Sequence, residues 1–563
     1  MSDAERCSTN LLCGVDQYGR AFMPVSGMDQ KKEVGMFYFL WHGESGQTTY
    51  DVSKLLQENP EALWDTSGPE ESPVGKFHYW GEPLFGYYNS TDPWVARKHV
   101  EMLSSADIDF LVFDTTNAVA YNKAWQVLLA ALEEYRLNGC KVPKIAFYTN
   151  SYSIRTMKVI YDNLYGKNLY RELWYCPDGE HPMIIGHDDP MVDKVKTARD
   201  CGESDYMPVL TDEMKQLFDI RQSQWPFYDP IDEAFPWMEW SYPQPIHNGI
   251  INVSLAQHPQ LPFSDSIKDR TRNYGRGYNF ETKENDASQS RLGLNIQSQW
   301  NTALANKDKI HTVFVTGFNE WIAIKMILEG RLFLVDCANE EFSRDIEPMK
   351  GGYEDAFYLQ LIDNVRRFKG LGEPQAKTAP FTVDMTDPSS WAAIPCRYKA
   401  VSQTMVERND TSVDGKYIYQ TPAPRNNIQA VSVAHDEKKL YFVVECEKEI
   451  VGEGANWMNI LFSTGEPCRE GWEGYQFVVN RRRGKLCRLN KVADITELSD
   501  VELQVSGNRM AVAAPLAALE IPKDCKGIYF KVSDGMLNLT DIMDSYTNGK
   551  SVPMGRLSYY YYF

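Results

Sequence analysis

Short apolar runs and amphipathic segments alternate along residues 34–370. The apolar runs have the length and composition of strands buried on both faces, and the segments between them have the 3.6-residue period of helices. We predict strands at 34–40, 109–113, 144–147, 182–185, 217–220, 250–255, 313–318 and 332–335, and helices at 92–106, 123–137, 154–164, 287–304 and 354–368. Alternating β and α elements over this length predict an α/β fold, a (β/α)8 TIM-like barrel with enlarged loops.

The hydrophobic pattern changes beyond residue 380. Short β-rich runs separated by turn residues follow at 428–433, 440–444, 457–462, 475–479, 509–514 and 528–532. This spacing is typical of an all-β sandwich. We therefore predict a polar lead-in at 1–33, the barrel at 34–370, a Gly-, Pro- and Ala-rich linker at 371–380, and a β-sandwich at 381–563.

Acidic residues follow several of the predicted barrel strands. In a (β/α)8 barrel the catalytic side chains collect at the carboxyl ends of the strands. Glu320 follows the run 313–318 and is our first candidate for a catalytic carboxylate, and Asp114 follows the run 109–113. Glu239 lies between Trp237 and Trp240, an apolar setting that favours the protonated carboxyl of a general acid. Alternatively, Glu320 caps a strand or helix, and Glu239 is an exposed loop residue.

Aromatic and neutral polar residues at strand ends and in the long loop after the first strand are candidates for substrate binding. Hydroxyl groups of a sugar suit hydrogen bonds to amides, hydroxyls and imidazoles, and its C–H faces suit stacking on indoles. The candidates are Trp41, His42, Trp80, Asn117, Tyr148, Asn150, Gln222, Gln257, Asn319 and Trp321.

Composition narrows the classes of partner. Aromatic residues make up 13% of the 563 residues, which fits either sugar-binding surfaces or large cores. The net charge of -19 argues against nucleic acid as a partner. No apolar run is long enough to span a membrane, no GxGxxG or GxxxxGK[ST] motif occurs where a nucleotide site would need it, and His and Cys lack metal-ligand spacing. We expect no cofactor and no metal.

The amino terminus has no basic start followed by an apolar segment. We therefore expect a cytoplasmic protein if the chain is complete as given, and a periplasmic or secreted one if a signal peptide was removed. The oligomeric state stays open.

Three segments of the predicted barrel resemble a known group of enzymes. They are FNEW at 318–321, YYNSTDPWVARKHVEMLSSADIDFLVFDTTN at 87–117 and GGYEDAFYLQLIDNVRRF at 351–368. They are similar to the endo-α-mannosidase and endo-α-mannanase family of glycoside hydrolases and the related WbsX-like proteins. The family motif carries two carboxylates three residues apart, the second acting as general acid. Glu320 matches the first, whereas Ala323 replaces the second, so the resemblance leaves the general acid unassigned.

The predicted sandwich also carries a resemblance. NWMNILFSTGEP at 456–467, GYQFVVNRR at 474–482 and IYFKVSDGM at 528–536 are similar to family 9 carbohydrate-binding modules and DOMON domains. The resemblance implies a module that faces sugar or supports the barrel. Trp472 and the terminal run 559–563 could contact sugar or pack against the barrel.

These observations predict a glycoside hydrolase that cleaves a polysaccharide or oligosaccharide by carboxylate acid–base catalysis. The alternative is a non-catalytic glycan-binding protein on a degenerate glycosidase barrel, which the replacement by Ala323 favours. The sugar, the linkage and the stereochemical outcome stay open.

Overall fold

The computed structural model describes residues 9–25, 31–44, 47–194, 205–370, 377–402, 404, 406–522 and 524–563. Within these ranges, seven strands form one parallel sheet in the order β7-β8-β1-β2-β3-β4-β5. They are β1 (Glu33–Tyr38), β2 (Phe110–Thr115), β3 (Lys144–Thr149), β4 (Met183–Ile185), β5 (Asp219–Arg221), β7 (Ile250–Val253) and β8 (Thr312–Val315). Most of these strands are buried along their whole length, as their continuous apolar runs predict.

A two-residue strand, β6 (Phe235–Pro236), connects the two edges of this sheet. It pairs in parallel with Ser223–Gln224, which directly follows β5. On its other side, the Asn252 side chain of β7 donates a hydrogen bond to the Pro236 carbonyl at 2.8 Å. This arrangement fits an α/β barrel.

One barrel strand differs from the prediction. We expected 332–335 to supply the last strand, but Arg331–Phe333 forms an antiparallel hairpin with Met326–Leu328. The additional strand is instead β6, which the sequence does not reveal because two residues that include a proline have no readable period. Elsewhere the predicted strands overlap the observed ones and differ from them by a few residues at their ends.

The helices lie largely where the periodicity predicts them. Asp92 caps the helix Pro93–Ser105 by accepting hydrogen bonds from the backbone N–H groups of Trp94 and Val95. The predicted segment 287–304 divides into a 3-10 turn and an α-helix at Gly293, whose φ is +62°. The α-helices of the described ranges include Val52–Glu58, Pro60–Trp64, Pro93–Ser105, Asn122–Leu137, Ser153–Ile160, Asp212–Leu217, Asp265–Lys268, Leu294–Ala305, Ala356–Lys369, Pro388–Ala392 and Asp544–Thr547.

Small sheets and short helical turns fill the loops of the barrel region. The strands Tyr50–Asp51, Phe77–Tyr79 and Ile322–Ile324 form one sheet, and Tyr278–Asn279 pairs with Glu284–Asn285. The short turns of this region are Arg171–Leu173 and Ala287–Leu292, with a π turn at Tyr161–Tyr165, and further 3-10 turns lie outside it at Thr9–Leu11 and Leu516–Ala518.

The carboxyl-terminal part consists of antiparallel sheets, which is compatible with the predicted β domain. The first contains Ala21–Phe22, Leu12–Val15, Leu557–Tyr562, Gly527–Asp534, Asn459–Thr464, Phe477–Val479, Lys485–Leu489, Ile495–Asp500 and Lys550–Val552. The second contains Arg397–Lys399, Ile428–His435, Lys439–Cys446, Arg509–Pro515 and Glu502–Ser506, and Arg408–Thr411 forms a hairpin with Ile418–Thr421. Phe442 of the second sheet contacts Phe462 and Phe530 of the first, each at a ring-centroid distance of 5.6 Å.

The amino-terminal segment belongs to this β structure. Leu12–Val15 pairs with Leu557–Tyr562, so the segment that we described as a polar lead-in supplies a strand to the carboxyl-terminal sheet. Trp472 and Tyr559 to Tyr561 are buried, which fits packing better than contact with sugar. Residues 371–376 of the predicted linker lie outside the described residues, and the domain boundaries stay a prediction. Over the described ranges, no helix is both long and apolar enough to cross a bilayer.

Candidate active site

A cavity of about 370 Å³ lies at the carboxyl ends of the parallel strands. It is lined by Phe37, Phe39, Trp41, Asp114, Thr116, Asn117, Tyr148, Asn150, Trp225, Phe227, Trp237, Met238, Trp240, His258, Leu261, Glu320, Val335, Asp336 and Arg344. A larger cavity, of about 590 Å³, lies at the opposite end, beside the first residues of β1, β4, β5, β7 and β8. Catalytic side chains of barrel enzymes collect at the carboxyl ends, so the smaller cavity is the candidate site.

Asp114 stands at the end of β2 and is one of the carboxylates that line the cavity. Its Oδ1 atom accepts hydrogen bonds from the Thr116 N–H at 3.1 Å and the Thr116 hydroxyl at 2.7 Å. Burial raises the pKa of Asp114 to about 6, the Thr116 hydrogen bonds oppose this shift, and the Asp336 carboxylate adds to it. Asp114 therefore changes its charge at about pH 6.

Glu320 follows β8 and is held on three sides. Its backbone N–H donates to Asp345 Oδ1 at 2.5 Å, its carbonyl accepts from Trp80 Nε1 at 3.1 Å, and its Oε2 atom accepts from Arg344 Nη2 at 2.7 Å. Burial raises the pKa of Glu320 well above its ordinary value. The Arg344 guanidinium opposes this shift, and the carboxylates of Asp336 and Asp345 add to it. The backbone contacts fix its position, and the burial favours its protonated form.

Arg344 connects Glu320 to two further side chains of the cavity. Its Nη2 atom contacts Asp336 Oδ1 at 3.2 Å, and its Nη1 atom donates to His258 Nδ1 at 2.7 Å. Because a guanidinium only donates, His258 Nδ1 accepts, and the imidazole carries its proton on Nε2, 4.0 Å from Asp336 Oδ1. Burial and the adjacent Arg344 hold the pKa of His258 well below its usual value, so the imidazole is neutral.

Aromatic rings form the walls of the cavity. Trp237 lies 5.1 Å from Trp225 and 5.5 Å from Phe37 between ring centroids. Phe227 bridges Trp225 and Trp240 at 5.7 Å from each and is 61% exposed. The indole N–H groups of Trp41 and Trp237 are buried without a hydrogen-bond partner among the described residues. Apolar ring faces next to unpaired donors suit a ligand that presents both C–H surface and acceptor oxygens.

No protein-family model and no curated protein matches this chain. Solved structures that resemble it include two of one enzyme. Both are of the GH99 endo-α-mannosidase from Bacteroides thetaiotaomicron, one of them in complex with BIS-TRIS propane. They are 14% and 15% identical to this chain with TM-scores of 0.34 and 0.30, and each match covers 60% of this chain and 97% of the other. Similarity at this level carries no argument about activity, so the function rests on the geometry of the cavity.

Six of the residues that the sequence singles out meet at the cavity. They are Trp41, Asp114, Asn117, Tyr148, Asn150 and Glu320. The Tyr148 hydroxyl forms a hydrogen bond of 2.6 Å with the Ser223 hydroxyl, which orients the phenol ring along the cavity wall.

Trp80 and Trp321 do not fit the stacking role that we predicted for them. Both are fully buried, and their rings stack on each other at 4.3 Å with an angle of 14° between the planes. They support the Glu320 backbone from the core. Asn319 is also fully buried. Its side-chain amide accepts from the Phe39 N–H at 2.9 Å and donates to the Phe39 carbonyl at 3.0 Å, so the Phe39 backbone engages both ends of the amide. A substrate cannot use that amide.

Glu239 does not fit the role of general acid. Its Oε1 atom accepts from the N–H groups of Trp240 at 2.7 Å and Ser241 at 2.8 Å, its Oε2 faces His247, and the residue is not part of the cavity lining. Gln257 is buried and donates to the Glu239 carbonyl at 2.7 Å. His42 is buried against Tyr79 and Tyr88, and Gln222 is exposed, so neither lines the cavity.

We did not predict Asp336, Arg344 or the exposed ring of Phe227 as site residues, although all three line the cavity. A signal for Asp336 was present, because it directly follows the apolar run 332–335 as Asp114 follows 109–113. Arg344 lies eight residues further on in an irregular loop and has no local signal. In the part of the chain that the structure describes, no group of three or more His, Cys, Asp or Glu side chains could hold a metal ion.

Proposed function

We propose that the protein is a glycoside hydrolase that cleaves a glycosidic bond of a neutral glycan bound in this cavity. The observation that carries the proposal is the meeting of three carboxylates of the described chain, Asp114, Glu320 and Asp336, between aromatic walls at the carboxyl ends of the barrel strands. Glycoside hydrolysis generally needs two carboxyl groups, one that protonates the leaving oxygen and one that acts as nucleophile or base.

Glu320 is the proton donor in this proposal. A general acid must carry a proton at working pH, and burial shifts the pKa of Glu320 in the required direction. Its backbone is fixed by Asp345 and Trp80, so the carboxyl is positioned before the substrate arrives. Asp114 stands at the end of β2 with its hydrogen bonds on Oδ1, and we assign it to binding a sugar hydroxyl.

The charges of the cavity support a neutral substrate. Carboxylates outnumber cations among the lining residues, and the Arg344 guanidinium is already engaged by Glu320 and Asp336. A uronate or sulfate group would therefore meet more carboxylates than cations among the described lining residues. The net charge of the chain, -19, also disfavours the binding of an anionic substrate.

The test is hydrolysis of a panel of neutral and anionic polysaccharides, followed as release of reducing ends. We expect the wild-type protein to cleave a neutral glycan and Glu320→Gln to lower kcat/KM by about 1000-fold or more. Glu239→Gln is the matched control, because it also replaces a buried glutamate, its Oε1 can still accept the two backbone N–H groups, and it lies outside the lining. Near wild-type turnover by Glu320→Gln, with normal thermal stability, would reject the assignment.

The non-catalytic alternative is favoured by one observation. Ala323 stands where the similar enzymes carry their second carboxylate. A glycan-binding protein would give a calorimetric binding signal with a neutral oligosaccharide, release no reducing ends, and retain that binding after Glu320→Gln.

A further inference from the structure

The position of Ala323 cannot supply a catalytic carboxylate in this fold. Ala323 lies in the strand Ile322–Ile324 and pairs with His78 of Phe77–Tyr79. The residue is buried and does not line the cavity. If the proposed function holds, the partner of Glu320 must come from another element.

Asp336 and Glu320 both contact the same nitrogen atom, Nη2 of Arg344. Arg344 Nη2 lies 2.7 Å from Glu320 Oε2 and 3.2 Å from Asp336 Oδ1, so the two oxygens cannot be further apart than the sum of these distances. Such a close approach of two carboxyl oxygens admits the roughly 5 to 5.5 Å between the carboxyls of retaining glycosidases and favours it over the roughly 6.5 to 9.5 Å of inverting ones. Within the described residues, no comparable bridge joins Asp114 to Glu320.

The surroundings of Asp336 differ from those of the other two carboxylates. Its side chain is 39% exposed, whereas that of Glu320 is 5% exposed. The charged and titratable groups that face it are Arg344, His258, Glu320 and Asp114. The Arg344 cation and the Nε2–H of the neutral His258 both lie on its Oδ1 side and stabilise negative charge there. Asp336 is thus an accessible carboxyl group beside the buried carboxyl group of Glu320.

We propose that Asp336 is the second catalytic carboxylate and the nucleophile of a retaining glycosidase, a role that rests on the proposed function. An Asp336 oxygen bonds to the anomeric carbon while the bond from that carbon to the leaving oxygen breaks, and the leaving oxygen takes the Glu320 proton. Water then attacks the anomeric carbon of the glycosyl ester and gives a proton to the Glu320 carboxylate. The ester bond breaks and releases the Asp336 carboxylate, so both side chains return to their starting forms.

The experiment uses Asp336→Ala and Asp336→Asn in the full chain, with an aryl glycoside of the cleaved sugar as probe. We expect kcat/KM to fall by about 1000-fold or more in both variants. Sodium azide should restore turnover of the aryl glycoside by Asp336→Ala and yield a glycosyl azide of inverted configuration, because the small anion can occupy the vacated space. Asp219→Ala is the matched control, since Asp219 also pairs with an arginine, Arg221 at 2.9 Å, but lies at the opposite end of the barrel.

The outcomes separate this inference from the proposed function. Retention of the anomeric configuration in the first product, seen by NMR, supports the inference, and inversion overturns it. Turnover by Asp336→Asn within about tenfold of the wild type, with Glu320→Gln inactive, overturns the role of Asp336 and leaves the hydrolase intact. Azide rescue of Asp114→Ala instead of Asp336→Ala assigns the nucleophile to Asp114 and also overturns it. Absence of any hydrolysis by the wild type rejects the proposed function itself.

Discussion

Asp114 of the candidate site lowers the stability of the fold when its buried side chain is charged. Burial raises its pKa from 3.8 to about 6, so the folded protein binds this proton more tightly than the unfolded chain does. Where the native state binds more protons, the free energy of unfolding falls as pH rises. Asp114 therefore destabilises the fold progressively between about pH 4 and pH 6, and its full cost remains above pH 6.

Asp114→Asn should remove this cost, because the amide oxygen can still accept from Thr116 and carries no charge. We expect the variant to exceed the wild type by up to about 3 kcal/mol in free energy of unfolding above pH 6. The difference should vanish toward pH 4. Urea unfolding of both proteins at the two pH values measures it, and a difference that does not depend on pH would contradict the raised pKa. The same variant should bind the glycan more weakly.

The sequence predicts candidate site residues from the apolar runs that precede them. It does not show which way their side chains point. Asp114 and Glu320 reach the cavity because each directly ends an apolar run in a fold where such ends converge. Trp321 follows the same run, yet its ring turns into the core. Asp336 follows a run of the same kind that proved to be a hairpin beside the barrel, and its side chain nevertheless lines the cavity.

The connection after β8 is the element that positions the site. Asn319 ties it to the backbone at the end of β1, and the stacked pair Trp80 and Trp321 supports it from the core. The Trp321 indole also donates to Glu347 Oε2 at 2.6 Å. Glu320 is thus carried by a connection whose neighbouring side chains are all committed to structure.

Trp321→Ala and Trp41→Ala should separate this supporting role from substrate binding. Removing the buried Trp321 ring leaves a cavity and takes away one of the two hydrogen bonds that Glu347 Oε2 accepts, the other coming from the Tyr88 hydroxyl. We therefore expect the free energy of unfolding to fall by about 3 to 5 kcal/mol. Trp41 is partly exposed at the cavity, and its replacement should cost less stability and mainly raise KM. Thermal denaturation and steady-state kinetics of both variants test this. A stable Trp321→Ala protein with a raised KM would restore the stacking role that we first predicted.

At the scale of elements, the sequence predicts the strands and helices that are long enough to show an apolar run or a 3.6-residue period. The seven hydrogen-bonded strands of the parallel sheet and the long helices are readable because apolar runs and 3.6-residue periods extend over enough residues. The strand β6 is too short for a pattern, and its pairing with Ser223–Gln224 depends on contacts that only the folded chain makes. The amino-terminal strand Leu12–Val15 was missed because its partner lies at the other end of the chain.

In the whole molecule, the barrel region and the carboxyl-terminal β structure share buried charges. Arg408 of the carboxyl-terminal hairpin contacts Asp92 at 2.7 Å, the residue that caps the barrel helix Pro93–Ser105. Arg556 pairs with Asp355 and, at 2.6 Å, with Glu354 of the barrel region, and at 3.0 Å with Glu473 of the β structure. These contacts couple the two parts of the molecule energetically.

Arg556→Met tests that coupling. The Arg556 side chain is 4% exposed and the Asp355 side chain is fully buried. Removing the cation therefore leaves a buried carboxylate that has lost its ion-pair partner and keeps the hydrogen bond from the Tyr546 hydroxyl. We expect the free energy of unfolding to fall by about 3 to 5 kcal/mol and unfolding of the two parts to separate in calorimetry.

Arg367→Met is the matched control, because Arg367 pairs with Asp363 at 3.7 Å with 46% of its side chain exposed, and such pairs contribute about 0 to 1 kcal/mol. Asp355→Asn in the Arg556→Met background should recover part of the loss, since it removes the stranded charge. Equal, small effects of the two arginine substitutions would show that the parts unfold independently of this contact.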